Sequence, residues 1–141
     1  MATMRVELVS PERVVFSGEA TMVVTRTLGG GEIAFQPGHA PFLAALTENF
    51  TRIYLADGRV QGVAVHAGFV QVADSKVSLL CDVAELSEDI DVVRAQRARE
   101  SAETSLQLEQ SGEVEAALRR AHARLNAAGG LGVRPSNSAS H

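Results

Sequence analysis

Apolar and polar residues alternate with a period of two through the first half of the chain, and near Leu86 the period changes to about 3.6. The segment Met4-Arg5-Val6-Glu7-Leu8-Val9 alternates and is closed by Ser10-Pro11, as a half-buried strand should be. Residues 13–16 predict a second strand, with Ser17-Gly18 as a turn after it. Residues 21–27 then put Val23, Thr25 and Thr27 on one face and Met22, Val24 and Arg26 on the other. Residues 32–35 predict a short strand, and residues 37–41 a rigid loop whose prolines preset the backbone. Residues 50–55 and 59–67 flank Asp57-Gly58, the strongest hairpin signal in the chain. Gly68 marks a bend or bulge, and residues 69–72 and 76–81 form another hairpin around Ala73-Asp74-Ser75. Many short strands with closely spaced turns predict an antiparallel β-sandwich or flattened barrel.

From Ser87 onward the pattern is helical. Ser87 reads as the N-cap, with Glu88, Asp89 and Asp91 crowding the first turn, where the helix dipole favours carboxylates. Ala95, Ala98, Ala102 and Leu106 make a thin apolar stripe, and Gln110-Ser111-Gly112 ends that helix. Val114, Ala117, Leu118, Ala121 and Leu125 stripe a second helix, which Gly129-Gly130 stops. The expected fold is therefore α+β: an N-terminal β-sandwich over residues 1–86, an antiparallel helical hairpin over 87–128, and a small, polar, disordered tail over 129–141. Alanine stripes bury little area, and at ~25 cal/mol per Å2 such helices gain only modestly from docking, so the hairpin reads as an element able to detach.

Composition narrows the function. Of 141 residues 45% are apolar, enough for a core, but there is no Trp and one Tyr, which removes the aromatic platforms of a single-strand nucleic-acid binder. A net charge of −4 argues in the same direction, since such binders draw affinity from phosphate neutralisation. The charge is uneven, however: Arg119, Arg120, Arg124 and Arg134 are followed and separated by no acid. That basic end either complements the helix dipole or suits an acidic partner. The single cysteine, Cys81, lies in an apolar strand pattern and fits an inert buried thiol in a reducing compartment. The sequence shows no signal-peptide pattern and no membrane span; even residues 60–72 are interrupted by Gln61, His66 and Gln71. Any membrane association is expected through protein partners, without direct insertion.

Catalytic chemistry is not legible. Gly29-Gly30-Gly31 lacks the Gly-Lys-Ser/Thr ending of a phosphate loop and reads as a turn. His39, His66, His122 and His141 have no metal-ligand spacing, and no nucleophile elbow is present, so neither a catalytic residue, a metal site nor a required cofactor is assigned. His39 reads as a hydrogen-bonder that fixes its loop, and His66 as packed or partner-facing. One constellation remains, on the hairpin: Asp91 and Arg94 lie three apart on the first helix, and Arg120 and Arg124 four apart on the second. These are either surface ion pairs worth ~0.2–1 kcal/mol each or a nucleotide clamp, since guanidiniums favour phosphate oxygens and a carboxylate accepts from an adenine amino group or a ribose hydroxyl.

Ser10-Pro11-Glu12, Phe16-Ser17-Gly18-Glu19-Ala20, Pro37-Gly38-His39-Ala40-Pro41-Phe42-Leu43 and the stretch from Ala84 to Ala95 occur in an order and spacing that resembles the epsilon subunit of bacterial F-type ATP synthases. The resemblance implies a non-catalytic rotor subunit on the cytoplasmic face of the bacterial plasma membrane, coupling proton flow to ATP synthesis. Its sandwich would contact the gamma subunit and the c-subunit ring, and its hairpin would switch between a compact form and an extended form that meets the beta subunits and inhibits ATP hydrolysis. Ile90-Asp91-Val92-Val93-Arg94-Ala95 matches the motif that opens the first helix in nucleotide-binding members. By that match a regulatory ATP site would use Glu85, Asp91, Arg94, Ala95, Arg120 and Arg124, and the partner-facing residues would be His39, Arg119, Arg120 and Arg124. The family's further arginine falls on Ser101, with Arg97 and Arg99 close by. Two rival readings stand beside it: a free-standing nucleotide hydrolase, for which no phosphate loop or metal-binding carboxylate cluster can be placed, and a β-sandwich recognition module with a coiled-coil arm, for which sustained heptads are missing.

Overall fold

A computed structural model describes residues 2–108 and 112–130. Seven strands come first: β1 (Met4–Val9), β2 (Val14–Thr27), β3 (Gly31–Phe35), β4 (Phe42–Leu46), β5 (Asn49–Leu55), β6 (Val60–Ala73) and β7 (Lys76–Leu86). A 3-10 turn (Ser87–Asp89) leads to α1 (Val92–Leu108) and α2 (Gly112–Gly130). The pairings β1–β2, β2–β5, β5–β6, β6–β7 and β7–β1 close into a ring, a flattened barrel in which β1 and β7 alone run parallel. Closure of this kind satisfies the backbone of the ring strands without the helices. Inside, Val6, Leu8, Val23, Phe35, Ile53, Val63, Val65, Val70, Val77 and Leu79 are fully buried, and every buried member of this core comes from residues 4–84.

Two sequence-based boundaries inside the barrel are overridden. Ser17-Gly18 is not a turn: β2 runs straight through it, with Ser17 opposite Glu7 and Gly18 opposite Val6. The β1 ladder satisfies the backbone there, Arg5 donates to the Ser17 hydroxyl at 2.7 Å, and the Phe16 ring lies against Gly18. Gly68 is a bend and not a bulge, since the β6–β7 register passes unchanged from His66 opposite Val83 to Gly68 opposite Cys81. Ala67 and Gly68 take positive φ, 69° and 144°, where β6 leaves β5 and takes up β4. A side chain at position 68 would run into the Leu80 carbonyl, so the bend needs glycine.

The hairpin begins later than its sequence suggests. Ser87 does not cap a helix; its hydroxyl donates to the Gly62 carbonyl at 2.8 Å and pins the 3-10 turn to β6. Asp91 is the cap, its Oδ1 accepting from the Arg94 amide at 3.0 Å. At the other end α2 continues through Gly129 and Gly130 instead of stopping before them. The end signal expected at Gln110-Ser111 and the tail from Leu131 to His141 fall outside the described residues.

The second helix, α2, lies on the outer face of β5 and β6, and α1 packs on α2. Ala64 of β6, Ile90 of the linker and Ala127 of α2 form the centre of this seam, flanked by Phe50 and Ala128. In α1, Ala95 and Ala102 are buried as the stripe predicts, while Ala98 is exposed. In α2 the buried residues are Ala121, Ala123 and Ala127. A single stripe could not anticipate the last two, because α2 is covered on two sides, by α1 and by the sandwich.

Candidate functional site

The end of β7, the linker and both helices converge on a cleft of about 300 Å3 lined by Glu85, Asp89, Asp91, Arg94, Ala95, Ala98 and Arg124. Strand alternation puts Ala84 in the core and so turns Glu85 outward, beside Ala64 and under α2. There its Oε1 accepts from Arg124 Nε at 2.5 Å and lies 3.4 Å from His66 Nε2. Burial by itself would raise the Glu85 carboxyl, but the hydrogen bond and charge of Arg124 hold it below the ordinary carboxylate value. His66, only 4% exposed, is shifted down by burial first and by the Arg124 charge second, and stays neutral despite Glu85. Its Nδ1 is buried without a partner among the described residues, so within them the imidazole is hydrogen-bonded by Glu85 alone.

On the opposite wall Asp91 is committed to the helix cap, and the guanidinium of Arg94 has no ion pair among the described residues. Arg94 and Arg124 can both donate to a phosphate, while Asp89 and Asp91 can accept from amino or hydroxyl hydrogens. The volume is at the small end of small-molecule sites.

Of the residues singled out in the sequence, Glu85, Asp91, Arg94, Ala95 and Arg124 are brought together here. Arg120 is not: it does not line the cleft, and its Nη2 lies 3.7 Å from Glu113 Oε1, about two turns back on its own helix. Asp89, Ala98 and His66 were not foreseen. For His66 the signal was present, since it shares the outer face of β6 with Ala64, but only the position of α2 shows what covers that face. Ser101 is exposed, on the turn after Ala98. Arg119 reaches back to the sandwich, its Nε donating to Glu48 at 3.0 Å. His39 is half-buried, bonded through Nδ1 to the Ala40 carbonyl at 2.8 Å and edge-on to Phe35 at 5.0 Å. Cys81 is buried, which pushes its thiol up to about 12, with a smaller contribution from Asp82. Among the described residues no group of three acidic, histidine or cysteine side chains could hold a metal, and no helix is long and apolar enough to cross a membrane.

Residues 3–87 match the family described as ATP synthase, Delta/Epsilon chain, beta-sandwich domain, and residues 88–129 match its long alpha-helix domain. The chain belongs to the ATP synthase epsilon family. The ATP synthase epsilon chain of Streptomyces coelicolor is 47% identical over 129 residues, which cover 92% of this chain and 98% of that protein. The epsilon chain of Symbiobacterium thermophilum is 39% identical over 135 residues, covering 93% and 96%. In fold the chain is similar to one in the Euglena gracilis mitochondrial ATP synthase, OSCP/F1/c-ring, with a TM-score of 0.78 at 22% identity, covering 91% of this chain and 82% of that one. As an epsilon chain it is a non-catalytic subunit of the synthase.

Proposed function

We propose that this chain couples proton flow to ATP synthesis as part of the rotor on the cytoplasmic side of a bacterial membrane, and that its hairpin is a nucleotide-set brake on ATP hydrolysis. The observation that carries the brake is where the basic residues of α2 are spent. In the docked form Arg119 is held by Glu48 and Arg124 by Glu85, both on the sandwich side of the seam, and Arg120 lies near Glu113. Release of α2 breaks the first two pairs at once. It thereby presents a basic helix face to an acidic surface of the beta subunits, which would impede hydrolysis.

A nucleotide in the Glu85–Arg94–Arg124 cleft touches strand, linker and both helices, so it favours the docked form by its differential affinity for that form. At a hundredfold excess over its dissociation constant the bias is ~2.7 kcal/mol if the released form does not bind. The thin alanine seam makes a bias of that size sufficient to set the state. On the sandwich, Leu43 of β4, Phe69 of β6 and Leu80 of β7 are 68%, 54% and 49% exposed on one outward face, with Phe69 directly opposite Leu80. Such a cross-strand apolar row supports the contact with the gamma subunit; the c-ring contact rests on the resemblance to the family alone.

The test is ATP hydrolysis by an alpha, beta and gamma catalytic head from the same source, with the full chain and with a version ending at Leu86. Both should co-purify with the head and only the full chain should slow hydrolysis; equal rates would remove the brake. Replacing Arg94 and Arg124 together by alanine should abolish ATP-induced compaction of the hairpin, and an unchanged response would remove the nucleotide from the mechanism.

A further inference from the structure

On the other flank of α2 a second cleft, of about 340 Å3, opens between that helix and the outer faces of β2, β3 and β5. Arg26, Arg52 and Arg119 enter it from β2, β5 and α2, and His122 of α2 lines it as well. Two carboxylates answer them. Glu32 takes Arg52 at 2.8 Å and Glu48 takes Arg119 at 3.0 Å. Arg26, directly opposite Glu32 on β3, makes no close ion pair among the described residues, although it lies on the same wall. The Nε of Arg52 is buried and has no acceptor among the described residues, so that guanidinium carries a donor that the protein does not use. Three guanidiniums against two carboxylates leave a net charge of +1. Below the arginines lies an apolar floor: the Arg52 guanidinium carbon is 5.9 Å from the centre of the Phe50 ring.

We propose that this second cleft binds a phosphoryl group, free or carried by a small organic body. An acceptor-only anion is what the unmatched donors lack, and the planar fork of arginine suits phosphate oxygens better than it suits a compact monovalent ion. The phosphoryl group sits between Arg26 and Arg52, within reach of Arg119 or His122, and an attached ring or chain rests on Phe50. Because the donors come from both sandwich and α2, the site is complete only when the hairpin is docked, and occupancy favours docking. It shares no lining residue with the Glu85–Arg124 cleft, so the two stand or fall separately.

The experiment is a two-dimensional amide NMR titration of the full chain with inorganic phosphate and, separately, with phenyl phosphate, at constant ionic strength. Saturable shifts are expected at Phe50, Arg52, His122 and Asn126. Tighter binding of phenyl phosphate assigns an ester as the ligand, and equal binding assigns free phosphate. Arg26→Gln, which breaks no ion pair and should leave the rest of the spectrum in place, should weaken binding by about tenfold, the loss of one charged hydrogen-bonding partner. Absence of saturable shifts with either probe, shifts confined to Ala95 and Ala98, or undiminished binding in R26Q would overturn the assignment.

Discussion

Glu85, Arg124 and His66 show how one residue can be pulled two ways. Arg124 and His66 both approach the same carboxylate oxygen of Glu85, and Arg120 adds a more distant positive charge from α2. With His66 neutral, Glu85 and Arg124 balance; protonation of His66 puts a second cation under α2. The sign follows. Burial and the Arg124 charge hold the pKa of docked His66 below its ordinary value of about 6.5, so its contribution to docking is present above that value and is lost as the pH falls from it through the lowered docked value. For Glu85 the depressed value places the loss lower, below the ordinary carboxylate value of 4.5. Hydrogen exchange at the amides of residues 121–127 should therefore quicken between pH 7.5 and 5.5 relative to an exposed reference helix, and His66→Gln should flatten that dependence. A wild-type profile that stays flat to pH 5 would contradict the coupling.

At the scale of the element, the start of α1 separates what the sequence states from what packing decides. Ser87 and Asp91 are both good caps by residue type, and the residue types of the run from Ser87 to Asp91 cannot rank them. The choice falls to Asp91 because Ile90 must stay extended to bury its side chain against Ala64 and Ala127, and Ser87 is already drawn to Gly62. Asp91→Ala should accordingly cost about 1 kcal/mol in hairpin stability and lower the helical circular dichroism, since it removes the cap. Ser87→Ala should leave helix content unchanged while raising exchange in the 3-10 turn. The same limit explains Ser17-Gly18: turn propensity is local, whereas the ladder to Glu7 and Val6 is supplied by residues ten or more positions away. By contrast, the strand cores other than β4, which the reading missed, the Asp57-Gly58 and Asp74-Ser75 hairpins and the existence of two helices were legible, because each rests on a local period or a turn requirement. Asp74 and Ser75 both take positive φ, 52° and 60°, as a two-residue primed turn demands.

Over the whole molecule, a closed barrel with its own core carries an appendage held by small side chains. Among the described residues the core cluster contains no helical one, and the seam is built from Ala64, Ile90 and Ala127 with Phe50 and Ala128 at its margin. Thermal unfolding should therefore be biphasic by helix-sensitive and strand-sensitive probes, with α1 and α2 lost first. A chain ending at Leu86 should keep the upper transition within a few degrees and lose the lower one. A single coincident transition in the full chain would show instead that the seam is as strong as the barrel. The Glu85–Arg124 cleft was legible in the same uneven way: Asp91, Arg94 and Ala95 sit on one short run, but only the docked position of α2 shows that Arg124 joins them while Arg120 does not.

One feature of the docking carries over to the order in which the chain is made. The first helix meets the sandwich chiefly through the second, and Ala123 and Ala127, which rest on the sandwich side, are near the end of the described chain. When ribosomal synthesis has passed Leu108, the barrel has all its strands and α1 exists, yet nothing is there to hold α1 down. The fastening arrives after both, so a shortened translation product lacking α2 would be a chain with no resting position for its arm.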